Sequence, residues 1–276
     1  MYVDKDFIFL ELQKTGGSHI LRLLSQLTDG DTSGKHNRLL LQDKDKFIFG
    51  SIRNPWDWYI SLWAYGVSGK GAIRRHVTHK NNIDYYYKLL PKSMGKNWIS
   101  LSELILAGYN DLFKPCDKWL SSYQSTSEPE LFRSWLRFML SSNRRYDIGE
   151  GYAFSPISKC AGLMTYRYLR LFTLGDLVYK DKALSSLEGI KSFDSDYNIS
   201  NGMIRNEHLE DDLITVLQEA GRLLSQEEIL SLKNKTKTNA SKRKSTDFYY
   251  DQETINLVAN KEKFIINKYE YMPPTL

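Results

Sequence analysis

The chain has 276 residues, 41% of them hydrophobic, which is long for one average domain, short for two, and enough for one sizeable core. With 38 basic against 33 acidic residues the formal charge is +5, too slight an excess to require a polyanionic partner. Cys116 and Cys160 lack metal-ligand spacing and are too few for a disulfide framework, and no apolar run reaches the length of a signal core or a membrane span. The expectation is a single soluble domain in the reducing cytoplasm.

Residues 7–12, FIFLEL, are short, apolar and rich in aromatics, and Gly16 and Gly17 follow, a pattern that predicts a buried strand and a tight turn. After Ser18, the residues Ile20, Leu21, Leu23, Leu24 and Leu27 share one face at helical spacing. The same order returns at 47–66. FIFGSI is a second buried-strand run, and Asn54-Pro55 supplies a cap and a first-turn proline before an aromatic helix. Two strand-to-helix units so close together predict an α/β chain with a parallel sheet and helices packed on its faces.

Residues from about 67 to 160 differ. They carry a basic cluster (Arg74, Arg75, Lys80), the aromatic run NIDYYYKLL, and two stretches of helical periodicity, WISLSELILAGYNDLF and ELFRSWLRFMLSS, around the polar loop SYQSTSEPE. A mostly helical insertion is expected. Beyond it, YNISNGMIRNEHLEDDLITVLQEAG reads as a strand running into a helix, LSQEEILSLK as a short helix, and the last segment as a polar basic loop before an amphipathic helix.

A glycine-rich turn between strand and helix gathers backbone N–H groups on an anion, while the helix N-terminus adds partial positive charge and a lysine a full one. Lys14, Gly16, Gly17 and Ser18 meet that description, as does an ordinary tight turn with an exposed lysine. An NTPase loop places lysine after its glycines and a hydroxyl directly after the lysine, where it holds magnesium. Here the lysine comes first, in Lys14-Thr15-Gly16-Gly17, an order that points to an anion held without metal. Arg53 ends the second strand and Ser61 lies eight positions on. Arginine and hydroxyl together make a second anion site, unless Arg53 is only a surface residue beside a strand end.

Taken together, these segments resemble the carbohydrate-type sulfotransferases that use 3′-phosphoadenosine 5′-phosphosulfate (PAPS). KTGGS at 14–18 is similar to that family's loop for the 5′-phosphosulfate, and RNPWDWYISLWAY at 53–65 to its 3′-phosphate element. GKHNRLL (34–40) looks like its histidine-bearing segment, IRNEHLEDDL (204–213) like its Arg-x-Glu-x-Leu-x-x-Asp stretch, and the tail from Asn239 to Tyr271 like its Asn-x-Ser segment and closing helix. The match covers residues 1–66 and the chain from 204 on, and His19 departs from it by standing where the family has serine or threonine.

The resemblance implies a P-loop-like three-layer fold and in-line, metal-independent sulfuryl transfer from PAPS to a hydroxyl or amine acceptor, a carbohydrate by preference. Lys14 would stabilise the leaving group and His36 would be the base. Donor contacts are implied for Lys14, Thr15, Gly16, Gly17, Ser18 and His19, for Arg53 and Ser61, and for one of Lys242, Arg243 and Lys244. Glu11 and Asp57 are further candidate bases beside the two loops. Trp56, Tyr249 and Tyr250 suit an adenine slot or the core, and Tyr85 to Tyr87, Trp98 and Trp135 an acceptor pocket or the core of the insertion. Trp58 and Trp63 are expected in the core. His76 and His79 read as a weak metal pair, an acceptor-binding edge or a solvated basic face, and His208 as part of a helix start. Two other functions compete: a nucleotide-dependent kinase, which would need magnesium and a hydroxyl after the lysine, and a non-enzymatic binder of nucleic acid or sulfated glycan using residues 70–92 and 235–244. The two anion loops do not need a nucleic acid, and none is expected.

Overall fold

Five strands, β1 (Tyr2–Val3), β2 (Phe7–Leu10), β3 (Asp31–Thr32), β4 (Phe47–Ile52) and β5 (Gly202–Arg205), form one sheet in the order β3-β1-β2-β4-β5. They belong to a computed structural model that describes residues 1–34, 45–81, 100–234 and 243–276. β2, β4 and β5 are mutually parallel, with Leu10 opposite Gly50 and Gly50 opposite Met203. β1 runs antiparallel to both β2 and β3, so the sheet is mixed rather than wholly parallel. The reason is local: a turn closed by the Asp4 N–H donating to the Phe7 carbonyl (2.9 Å) joins β1 to β2, and so short a link permits only antiparallel pairing.

Thirteen α-helices are found among the described residues: α1 (Gly17–Leu27), α2 (Pro55–Val67), α3 (Ala72–Thr78), α4 (Leu101–Leu112), α5 (Cys116–Ser121), α6 (Pro129–Leu140), α7 (Leu163–Phe172), α8 (Leu187–Tyr197), α9 (Leu209–Glu219), α10 (Gln226–Lys233), α11 (Thr246–Tyr249), α12 (Gln252–Lys261) and α13 (Lys263–Tyr269). The described part of 67–160 contains helices and 3-10 turns and no strand. None of the described helices is long and apolar enough to cross a membrane. Cys116 and Cys160 are free thiols.

The chain divides into two compact units. The first comprises Met1–Asn54, Arg167–Gly175 and Asp194–Ala240 and holds the sheet. The two-residue side-chain period of a strand puts Phe7, Phe9 and Phe49 on one face, with ring centroids 5.3 Å (Phe7–Phe49) and 5.5 Å (Phe9–Phe49) apart. On them pack Ile20, Leu23 and Leu24 of α1 and Leu209, Leu213 and Leu217 of α9. The alternate residues Ile8, Leu10 and Ile48 are buried as well, as parallel strands covered on both faces require.

The second unit comprises Pro55–Tyr166, Asp176–Phe193 and Ser241–Leu276. Its central helix, α2, is apolar almost all round, which suits a helix buried on every side: Trp56, Trp58, Tyr59, Ile60 and Trp63 are all buried. The Trp56 indole donates to the Ile255 carbonyl (3.2 Å) and the Trp63 indole to the Ser122 carbonyl (2.8 Å). Trp135 is fully buried too, donating to the Tyr123 hydroxyl at 2.6 Å.

One carboxylate lies at the centre of this unit. Glu262, between α12 and α13, has no exposed surface. It accepts from the Tyr59 hydroxyl (2.5 Å), the Met164 and Thr165 backbone N–H groups (3.1 and 2.9 Å) and the Thr165 hydroxyl (2.7 Å). It thereby caps the start of α7 and ties the C-terminal helices to α2. Burial pushes its pKa above the usual carboxyl range, against the pull of these donors. Glu262→Gln keeps the shape and leaves buried donors without an acceptor, each worth about 1–3 kcal/mol. The expected loss in urea unfolding is about 2–4 kcal/mol, and an unchanged midpoint would refute this role.

Candidate functional site

The turn between β2 and α1 is built from its buried side. Thr15 is fully buried, its hydroxyl 2.8 Å from the Leu12 carbonyl oxygen and 2.6 Å from the hydroxyl of Ser51, a buried residue of the neighbouring strand β4. Its side chain therefore holds the turn to the sheet. Lys14 has φ +68° and Gly16 φ +89°; left-handed backbone costs an L-residue about 1–2 kcal/mol, so the lysine is held in strain that only the surroundings sustain. Arg53, just past β4, donates from Nη1 to the Lys14 carbonyl at 3.2 Å.

Both glycines are required by space. A Cβ on Gly16 would stand 2.5 Å from Asn206 Nδ2, and one on Gly17 would fall onto the carboxylate of Glu11, itself buried. Gly16 opens α1 without a side-chain cap, and the first turn of α1 carries no acidic residue. The His19 and Ile20 N–H groups donate to the Gly16 carbonyl (2.9 and 3.1 Å), so the Gly17 and Ser18 N–H groups and the helix's partial positive charge are what the first turn offers. Ser18 lies exposed on that first turn. His19 is turned inward: Nδ1 is 3.2 Å from Arg22 Nη2, Nε2 is 3.7 Å from Glu210 Oε1, and 7% of the residue is exposed. Close by in the same unit, Arg205 grips Asp212 through Nε and Nη2, each at 2.9 Å. Despite the opposing cost of partial burial, those bonds hold the Asp212 carboxyl below its ordinary pKa.

In the second unit, Asp57 and Ser61 stand one helical turn apart on α2, on the same face. Asp57 is paired with Arg243, from Nη2, and also accepts from the Thr246 hydroxyl at 3.3 Å. The Lys244 side chain is exposed. Trp56, Tyr249 and Tyr250 are core residues, at most 2% exposed, with both tyrosine hydroxyls donating to backbone carbonyls (Thr126 and Trp56, 2.8 Å each). Burial, then the neighbouring Asp57 charge, keeps the Tyr250 hydroxyl protonated. His76 and His79 offer their carbonyls to Lys114 Nζ (3.0 Å each), and among the described residues no group of three His, Cys, Asp or Glu is placed to hold a metal. His208 is the N-cap residue of α9. His36, Lys242, Tyr85, Tyr86, Tyr87 and Trp98 lie outside the described residues.

The structure thus brings Lys14, Thr15, Gly16, Gly17, Ser18 and Arg53 to one turn of the sheet unit, and Asp57, Ser61 and Arg243 to one stretch of the helical unit. Sequence reasoning passed over Ser51, which bonds the turn, Asn206, which packs against Gly16, and the Asp57–Arg243 pair. A serine inside an apolar strand run was the one signal for the first. No protein-family model, curated protein or solved structure matches the chain at a significant level.

The crowding at Gly17 is testable. Gly17→Ala should cost about 1–3 kcal/mol by overpacking against Glu11, measured by chemical denaturation, and the companion Gly17→Ala/Glu11→Ala variant should recover most of the loss. A double variant no more stable than the single one would show that Glu11 is not the obstacle.

Proposed function

We propose that the chain is a PAPS-dependent sulfotransferase with a P-loop-like three-layer fold, moving a sulfuryl group to a hydroxyl or amine acceptor, a carbohydrate by preference. One observation carries this reading: a lysine and a glycine in left-handed backbone, at the start of a helix with no side-chain cap, with Arg53 fastened to the lysine's own carbonyl. Such a turn gathers N–H groups and positive charge on an anion.

The donor, when bound, supplies a sulfuryl group on a phosphate leaving group. The first turn of α1 would hold the anionic end by its N–H groups and Ser18 hydroxyl. Lys14 would neutralise charge at the leaving oxygen, and Arg53 would keep Lys14 in place. Orientation and charge stabilisation of this kind need no covalent chemistry from the protein. An acceptor hydroxyl needs a base. His36 takes that role by resemblance, and Glu11 is the carboxylate packed against the turn.

Thermal unfolding tests the reading directly. Adenosine 3′,5′-bisphosphate at 100 times its dissociation constant, without metal, should stabilise the chain by about 2.7 kcal/mol. Lys14→Ala should abolish that shift and lower PAPS turnover by about 100-fold or more. Intact turnover in Lys14→Ala would refute the proposal. Stabilisation by magnesium ATP alone would establish the kinase reading instead, and salt-sensitive nucleic-acid binding without any nucleotide effect the polyanion-binding one.

A further inference from the structure

Helix α4 (Leu101–Leu112) is apolar on two faces. One face packs inward, where Leu104 and Ala107 are buried and the helix meets the 3-10 turn Ser142–Asp147. The other face is open: Leu101, Ile105, Leu106, Tyr109, Leu112 and the adjoining Phe113 stand between 43% and 66% exposed. At about 3.6 residues per turn these six fan across an arc of about 140° opposite the buried face. The Tyr109 and Phe113 rings lie 4.9 Å apart and extend one another. A helix that is apolar all round is ordinarily covered all round.

No charge interrupts the open face. Within 101–113 the charged residues are Glu103 and Asp111. Glu103 closes the capping box with Ser100, and Asp111 is turned inward to Lys114 and Asn81. At the edge of the face, one turn from both Ile105 and Leu112, stands Gly108. Glycine weakens a helix interior, yet a Cβ at Gly108 would meet nothing within 4 Å, so the chain's own packing does not call for it. A second helix crossing close to that point would.

We infer that this face is a homodimer interface, in which α4 pairs antiparallel with the α4 of a second copy. The area is sufficient: the six side chains leave on the order of 600 Å² open, and two such faces bury about 1,200 Å², the lower end of stable interfaces. The face also complements itself about a two-fold axis, as an isologous contact requires. Its first half is aliphatic (Leu101, Ile105) and its second largely aromatic (Tyr109, Phe113), so antiparallel pairing sets small side chains against large ones and the positive start of one helix beside the negative end of the other. A helix that lies in a lipid surface carries lysine and arginine along its polar side, and residues 100–113 contain neither. The inference concerns the helical unit alone and does not depend on the sulfotransferase reading.

Sedimentation equilibrium of the full chain over a dilution series tests it. The wild type should dimerise with a dissociation constant in the micromolar range or below. Ile105→Glu and Tyr109→Glu should each raise that constant by about 30-fold or more. Leu223→Glu, at a leucine 76% exposed in the sheet unit, should change it by less than about twofold. Urea midpoints taken at dilutions where the wild type is dissociated should agree among all four chains, which separates a lost interface from a lost fold. A wild type that stays monomeric at every concentration, or a dimer that neither α4 variant weakens, would overturn the inference. So would flotation of the wild type, but not of Ile105→Glu, with vesicles of phosphatidylcholine and phosphatidylglycerol, which would assign the face to a membrane surface.

Discussion

Thr15 and Ser51 share a buried hydrogen bond of 2.6 Å between a turn and the neighbouring parallel strand, and the candidate anion loop hangs on it. The parallel register that sets Leu10 opposite Gly50 brings the end of β2 beside the end of β4. Ser51 then meets Thr15, and Arg53, two residues further, meets the Lys14 carbonyl. A net gain of about 1 kcal/mol for each such hydrogen bond is of the same size as the about 1–2 kcal/mol that Lys14 loses by adopting a left-handed backbone. Strain in the turn is thus offset by bonds to the next strand, and the lysine keeps a conformation that it would abandon in an isolated peptide.

The helical unit shows two kinds of buried polar group. Glu262 has no exposed surface and four donors directed at it, an arrangement complete in itself. Such a site fixes how helices meet and leaves no lone pair for a ligand. The Asp57–Arg243 pair is partly exposed, at 24% and 15% of the side chains, and one guanidinium nitrogen has no hydrogen-bond partner among the described residues. The first network is complete and the second is not, and an incomplete buried network is the more sensitive to loss of either member.

Much of the architecture was legible because it is local. The aromatic runs at Phe7 and Phe47, the apolar stripe of α1, and the Asn54-Pro55 start of α2 are patterns of period two or 3.6 that a short window contains. The strand and helix after Tyr197, and the helices within 67–160, followed from the same periodicities. β1 and β3 were not legible, since two-residue strands exist only by pairing. Trp56, Trp135, Tyr249 and Tyr250 could be read as ligand platforms or as core, because an aromatic side chain serves both, and packing placed all four in the core.

The order of residues alone determined that a lysine precedes two glycines between a strand and a helix, and that a second strand ends in arginine. It thereby pointed to an anion and to two loops. Tertiary structure decided which atoms of those loops face inward. Thr15 spends its hydroxyl on Ser51, His19 turns to Arg22 and Glu210, and Arg243 is gripped by Asp57 across 186 positions of sequence. Periodicity reports which face of an element is buried, but the partner of a buried polar group is set by whichever distant segment the packing brings within 3 Å, and no local window contains that segment.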